Sequence, residues 1–109
     1  MEFLVEFELT VPDGTTETEV KKRQDAEVRA AAKLAEDGHL LRVWKRPAAG
    51  RGTTIVGLYR AEDEAQLGAL LVALPLYGWM QIAVTPLEPH PNDPAAPRTS
   101  TFGADRSRS

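Results

Sequence analysis

Apolar and polar residues alternate strictly at the start of the chain. Four apolar residues share one face of an extended segment there: Phe3, Val5, Phe7 and Leu9. Glutamates occupy most positions of the opposite face, and a period of two is typical of a strand with one buried side. A Pro-Asp-Gly turn at 12–14 follows. The pattern predicts a first strand over residues 2–10.

A helical period replaces the alternation after this turn. Thr16 and Glu19 have the spacing of a capping box, in which the hydroxyl accepts from a backbone N–H of the first turn. The following residues keep an apolar stripe as far as Ala35, and Gly38 is a typical helix stop. We therefore expect one long helix from about Thr16 to Ala35.

The rest of the chain predicts three more strands and a second helix. Residues 39–46 and 53–59 have strand patterns and are joined by the Pro/Gly-rich stretch 47–52, which suits a hairpin loop. Acidic residues at 62–64 begin a leucine-rich helix that Pro75 ends, and 81–87 is a last strand. The order β-α-β-β-α-β predicts an α+β, ferredoxin-like domain over 1–87, a four-stranded antiparallel sheet with two helices on one face.

The face of the sheet without helices is also partly apolar. Several large apolar residues fall out of phase with the core set: Leu4, Leu40, Trp44, Val56 and Leu58. An apolar second face indicates pairing of sheets between subunits, so we expect at least a dimer. Residues 88–109 contain four prolines and predict either a flexible tail or an arm that reaches a neighbouring subunit.

Composition narrows the function classes. With 109 residues and a net charge of −3, the chain is one small domain without the basic field that nucleic-acid binding needs. It has no run long enough for a membrane helix, and its acidic N-terminus is unlike a secretion signal. It has no cysteine and two histidines, so we expect no disulfide, no metal site and no cofactor, and a cytoplasmic location.

Glu27 is the most informative position of the first helix. It lies seven residues from both Val20 and Leu34 and therefore on one apolar, alanine-lined stripe. Burial without a cation would raise the pKa of its carboxyl toward the range of a general acid or base. The alternative is an ion pair with Arg42 or Arg46 of the sheet below.

The second strand and the loop after it supply a basic set: Arg42, Lys45, Arg46 and Arg51. Strand alternation places Arg42 and Arg46 with Trp44 on one face, and Lys45 on the other. These cations suit an acidic small substrate, because guanidinium groups bind carboxylates through two hydrogen bonds. The alternative is a solvated edge with ordinary surface charges.

Two further residues are candidates for the chemistry. His39 follows Gly38 and is a candidate proton shuttle by its residue type, although a histidine at such a turn is more often structural. Tyr77 and Trp44 could form an aromatic wall beside a flat ring, or simply line the core or an interface.

The stretch LPLYGWM at 74–80, followed by a strand and then by Leu87, His90 and Pro91, resembles the signature of muconolactone Δ-isomerases. The resemblance extends over roughly residues 1–94. Glu27 matches the acidic residue of the family's first helix. Trp44 and Lys45 match its Trp-Arg pair, with lysine in place of arginine. The loop after Trp44 is longer than usual, and the GLYRAED end of the third strand lacks the usual Phe-Asp-Val.

This resemblance implies a ferredoxin-like subunit whose dimers form an α/β barrel with sheets face to face, usually assembled into a decamer. It implies a cofactor-free isomerase that converts a muconolactone-like lactone carboxylate to an enol-lactone by proton transfer. Glu27 would then act as base and acid, with His39 and Tyr77 as secondary donors. Binding of the substrate would fall to the basic set of the second strand and its loop.

Two alternatives remain open from the sequence. The same fold could act as a cyclase, a dehalogenase or a cofactor-independent oxygenase on another ring substrate. The chain could also be a non-catalytic module that binds a small ligand or serves assembly, with Glu27 held in an ion pair.

Overall fold

The chain folds in the predicted order of elements. A computed structural model describes residues 1–47 and 53–95. The strands are β1 (Glu2–Leu9), β2 (Leu40–Pro47), β3 (Thr53–Arg60) and β4 (Met80–Leu87). The helices are α1 (Glu17–Glu36) and α2 (Glu64–Val72), and a 3₁₀ turn, Tyr77–Trp79, precedes β4. Most of the predicted hairpin loop, including Arg51, lies outside the described residues.

The four strands form one antiparallel sheet in the order β2-β3-β1-β4. Both helices pack on the same face of this sheet, and the core lies between the two layers. Its most buried side chains are Phe3 and Val5 from β1 and Leu67 from α2. This is the predicted ferredoxin-like arrangement, and it leaves the second face of the sheet, called here the open face, without a covering layer.

Local signals in the sequence explain the ends of the helices. The Thr16 hydroxyl accepts a hydrogen bond from Glu19 N at 3.1 Å, as the capping-box spacing predicts. The α1 helix ends at Glu36, and Gly38 turns the chain with a φ of +83°. The α2 helix ends at Val72, before the predicted Leu74, because Pro75 disfavours a helical conformation at the residue that precedes it. Leu74 is nevertheless buried.

One prediction about β2 is wrong. Plain alternation groups Leu40 with Trp44 on the open face, but Leu40 belongs to the core beneath the helices. The cause is a bulge: Leu40 pairs with Tyr59 and Arg42 pairs with Leu58, so Leu41 has no partner of its own. One extra residue reverses the side on which every later side chain of β2 lies.

The open face carries the other apolar residues that were predicted for it. Leu4, Val56 and Leu58 lie in adjacent register positions across β1 and β3, with Trp44 beside them on β2. Trp44 is 41% exposed. Residues 88–95 of the predicted tail are exposed and follow β4 without regular structure. Within the two described ranges, no helix is long and apolar enough to cross a membrane.

Candidate active site

The Glu27 side chain lies between α1 and the sheet, as the helical stripe predicts. It is half-buried. Ala30 and Ala31 follow it along the helix and pack against the core, and Leu34 is buried one turn later. Glu27 is therefore an acid at the edge of the helix–sheet interface.

The partner of Glu27 is a backbone amide and not an arginine. Leu76 N donates to Glu27 Oε1 at 3.0 Å, and among the described residues it is the one hydrogen-bond donor to this carboxylate. The alternative of an ion pair with Arg42 or Arg46 is wrong for the folded subunit. Arg46 instead contacts Glu6, with 2.9 Å between Nη2 and Oε2.

The environment of Glu27 alters its acidity. Burial raises the pKa of the carboxyl, since water that would solvate the charge is excluded, and the Leu76 N–H lowers it by a smaller amount. The net direction is upward. A carboxyl with a raised pKa is a stronger base than an exposed one, so this group suits proton abstraction from carbon.

Tyr59 is a second titratable group of this interface, and the sequence pattern did not single it out. It is 4% exposed on β3 and faces the helices in register with Phe3. Burial, and secondly the charge of Glu27, raise the pKa of Tyr59 to about 12. The phenol therefore stays protonated at neutral pH and can donate a hydrogen bond.

Gly57 makes room for the ring of Tyr59. A Cβ at position 57 would come within 2.7 Å of Tyr59 Cε1, a distance that real Cβ atoms do not adopt. The Tyr59 ring thus lies back over the glycine and meets Phe7 in a tilted contact with centroids 6.1 Å apart. The Gly-x-Tyr sequence of β3 was the available signal for this arrangement.

Lys45 is the cation of β2 that shares the helix-covered face with Glu27. It pairs with Ile55, which packs against the core, so both project to that side of the sheet. Arg42, Trp44 and Arg46 project to the open face, where Arg42 lies 5.0 Å from the Trp44 ring centroid. The predicted alternation is confirmed. It separates two of the predicted substrate-binding arginines from Glu27 within one subunit.

The two secondary donors lie in different places. The imidazole of His39 sits beyond the end of α1, where Nδ1 donates to the carbonyl of Arg60 at 2.9 Å. Glu27 is nine residues before the end of that helix, or about 14 Å along its axis, so His39 is not brought to the carboxylate. Tyr77 directly follows Leu76, whose backbone amide binds Glu27. Tyr77 itself is 41% exposed.

A cavity of about 270 Å³ lies elsewhere, at the polar end of the open face. Its lining includes Glu6, Glu8, Arg46 and Thr54. These residues project away from the helices, and Glu6 and Arg46 already neutralise each other. The helix-covered side is the stronger candidate for proton chemistry. Glu27, which has no cation partner among the described residues, lies there on the same side of the sheet as the neutral phenol of Tyr59 and as Lys45.

Comparison with protein families gives a match over most of the chain. A family model described as "Muconolactone delta-isomerase" matches residues 1–93. The Muconolactone Delta-isomerase 1 of Acinetobacter lwoffii is 30% identical over 95 residues, which is 84% of this chain and 93% of the relative.

Solved structures show the same fold. A crystal structure of muconolactone isomerase superposes with a TM-score of 0.77 at 22% identity, over 91% of this chain and 100% of the other. The 5-chloro-2-hydroxyhydroquinone dehydrochlorinase of Burkholderia phenoliruptrix, in complex with 2,5-dihydroxybenzoquinone, gives 0.60 at 15% identity, over 81% of this chain and 94% of its own.

Proposed function

Because the chain belongs to the muconolactone Δ-isomerase family and is an isomerase by that membership, we propose that it shifts a double bond in a small unsaturated lactone carboxylate. A muconolactone-like substrate would become the enol-lactone. The observation that carries this proposal is the half-buried carboxylate of Glu27, which has a raised pKa and a single neutral hydrogen-bond donor among the described residues.

Glu27 acts as the base and then as the acid. Its Oε1 accepts from Leu76 N, so Oε2 is the oxygen that takes the proton. The C–H bond at the allylic ring carbon breaks, its electron pair enters the conjugated system, and a dienolate forms. The same proton, or one exchanged with solvent, then bonds to the other end of that system. The double bond has moved, with no net oxidation or reduction.

Tyr59 and Lys45 supply the electrostatic part of the reaction. The dienolate places negative charge on the lactone oxygen, and a neutral phenol donates a hydrogen bond to such an oxygen without itself being ionised. Lys45 shares the same side of the sheet and offers a point charge to the substrate carboxylate. Arg51 and Tyr77 remain predicted contacts of the substrate, and Arg51 lies outside the described residues.

A second copy of the chain is the proposed partner. The open face exposes Trp44 and groups Leu4, Val56 and Leu58 within one sheet, which a second sheet would remove from water. The face also carries acidic residues on β1 and basic residues on β2. A two-fold axis can set such opposite charges against each other. We therefore expect at least a dimer, with the sheets face to face.

Proton NMR of muconolactone incubated with the purified protein in D₂O tests the activity. We expect migration of the double bond and entry of deuterium at the new methylene carbon, against a control without protein. A folded protein that causes neither migration nor exchange would contradict the proposal. A chlorinated lactone, assayed in parallel for chloride release, would then test the dehalogenase alternative on the same site.

A further inference from the structure

Arg23 and Glu27 hold opposite ends of one peptide group. Arg23 Nη1 donates to the carbonyl oxygen of Pro75 at 3.3 Å, and Leu76 N donates to Glu27 Oε1 at 3.0 Å. The Pro75 carbonyl and the Leu76 N–H belong to the same planar peptide unit. The cation and the acid are one helical turn apart on α1, so the helix holds the unit at both ends.

The Arg23 guanidinium is itself fixed by further contacts. Its Nε donates to Glu19 Oε2 at 2.8 Å, and its central carbon lies 4.7 Å from the centroid of the Trp79 ring. A planar guanidinium can form hydrogen bonds at its edge while it stacks by its face. Arg23 therefore also joins α1 to the turn that precedes β4.

Hydrogen bonds in series strengthen one another. A cation at the carbonyl oxygen draws electron density through the peptide group and makes its N–H a better donor. The better donor holds Oε1 of Glu27 more firmly, which leaves Oε2 as the oxygen available to a substrate. The ring of Pro75 fixes its own φ and so removes one of the backbone rotations that could move this peptide group.

We propose that Arg23 is a positioning residue for Glu27, acting through the Pro75–Leu76 peptide group without contacting the substrate. The inference rests on the proposed role of Glu27 as the base. It assigns to Arg23 the control of which carboxylate oxygen reacts and of how easily that oxygen takes a proton.

The other groups on the helix-covered side limit the size of the expected pH effect. Tyr59 on β3 stays neutral, and Lys45 of β2 shares the same side of the sheet. Tyr77 is in the neighbouring turn. The side chains of β1 and β4 that pack into this core are apolar: Phe3, Val5, Phe7, Ile82 and Val84. The core residues of α2, Leu67 and Leu71, are apolar as well.

Arg23→Gln tests the proposal, with Arg29→Gln as a matched control at an exposed position of the same helix. Loss of the cation weakens the Leu76 N–H as a donor, so the pKa of Glu27 rises further and the acidic limb of kcat/KM moves to higher pH. We expect kcat to fall about tenfold, because a misplaced base loses its alignment. KM should change little, and Arg29→Gln should match wild type in both constants.

Two more measurements keep the test decisive. Carbon-13 NMR of the Glu27 side-chain carboxyl gives its pKa directly, without substrate, and we expect a higher value in Arg23→Gln than in wild type. Arg23→Lys keeps a cation near Pro75 and should recover part of both effects even if the glutamine variant folds poorly. An unchanged Glu27 titration in both Arg23 variants would overturn the proposal. A changed titration in a protein inactive on muconolactone would instead reject the proposed substrate.

Discussion

Charged side chains have different partners on the two faces of the sheet. On the open face, arginines and glutamates meet in pairs: Arg46 with Glu6 and Arg60 with Glu2, each at 2.9 Å. On the helix-covered face, Glu27 meets only a backbone amide among the described residues. Paired charges on an exposed face contribute little to stability. An acid without a cation keeps the basicity that proton abstraction needs.

Glu27→Gln tests the role of the acid on the helix-covered face, and it has the largest expected effect. The amide has the same shape and can still accept from Leu76 N, but it cannot take a proton from carbon. We expect kcat for the muconolactone isomerisation to fall by about 10² to 10⁴-fold, measured by NMR of the product. A glutamine variant with wild-type turnover would remove Glu27 from the mechanism.

Leu58→Lys should disrupt self-association through the open face. A lysine there would be buried without a partner in a face-to-face dimer, and it adjoins Arg42 in the register. The cost of burying a charge is several kcal/mol and applies twice in a symmetric dimer. We expect self-association to weaken by at least about 100-fold, measured by analytical ultracentrifugation.

The matched control for that change is Val28→Lys, which adds the same charge on the outer surface of α1, where Val28 is 69% exposed. It should leave the assembly unchanged. A monomeric wild-type protein, or equal association of the two variants, would contradict an interface on the open face.

Tyr59→Phe removes one hydroxyl and tests whether the phenol on the helix-covered face donates a hydrogen bond in the reaction. Loss of a single donor to a developing oxyanion lowers kcat by about 10- to 100-fold here, somewhat less than full loss of an oxyanion-hole donor. KM should change little, since the ring remains over Gly57. The assay is steady-state turnover of muconolactone. A fall in stability with unchanged kcat would make Tyr59 a core residue only.

The smallest expected effect is on stability, and its sign differs between the faces. Burial raises the pKa of Glu27 above its ordinary value of 4.5, so the fold favours the neutral form. That contribution to stability is lost as pH rises through the folded-state pKa. The Tm of Glu27→Gln should exceed that of wild type at pH 7, and the two should converge below pH 4.5.

Glu6→Gln is the counterpart on the open face. It removes a partly exposed ion pair and should lower stability by about 0–1 kcal/mol at neutral pH. Thermal denaturation of both variants across pH measures the two signs together. Equal signs at pH 7 would refute the difference between the faces.

The elements and the position of Glu27 on the inner side of α1 could be predicted from local patterns. The Thr16 cap and the position of Glu27 on an apolar stripe depend on residues within two turns of each other. The alternation of Lys45 against its neighbouring arginines is local as well. Each of these needed only the period of a helix or a strand.

The partners of those residues could not be predicted in the same way. Glu27 is held by the amide of Leu76, 49 positions further along the chain, and a backbone donor leaves no mark in the sequence. In the sequence Tyr59 is an ordinary strand residue. The structure shows that its ring lies over Gly57. Strict alternation predicts the wrong face for Leu40, because a period of two does not indicate where one residue is left unpaired.

That unpaired residue, Leu41, has a consequence for how such a site could diversify. If Leu40 stayed in the core and β2 ran without the bulge, Arg42, Trp44 and Arg46 would lie on the helix-covered face, and Lys45 would lie on the open face. A shift of the irregularity along the strand would thus exchange a single ammonium for two guanidinium groups and an indole, with no change in composition. A one-residue insertion or deletion in β2 would likewise change which charged side chains share the helix-covered face with Glu27.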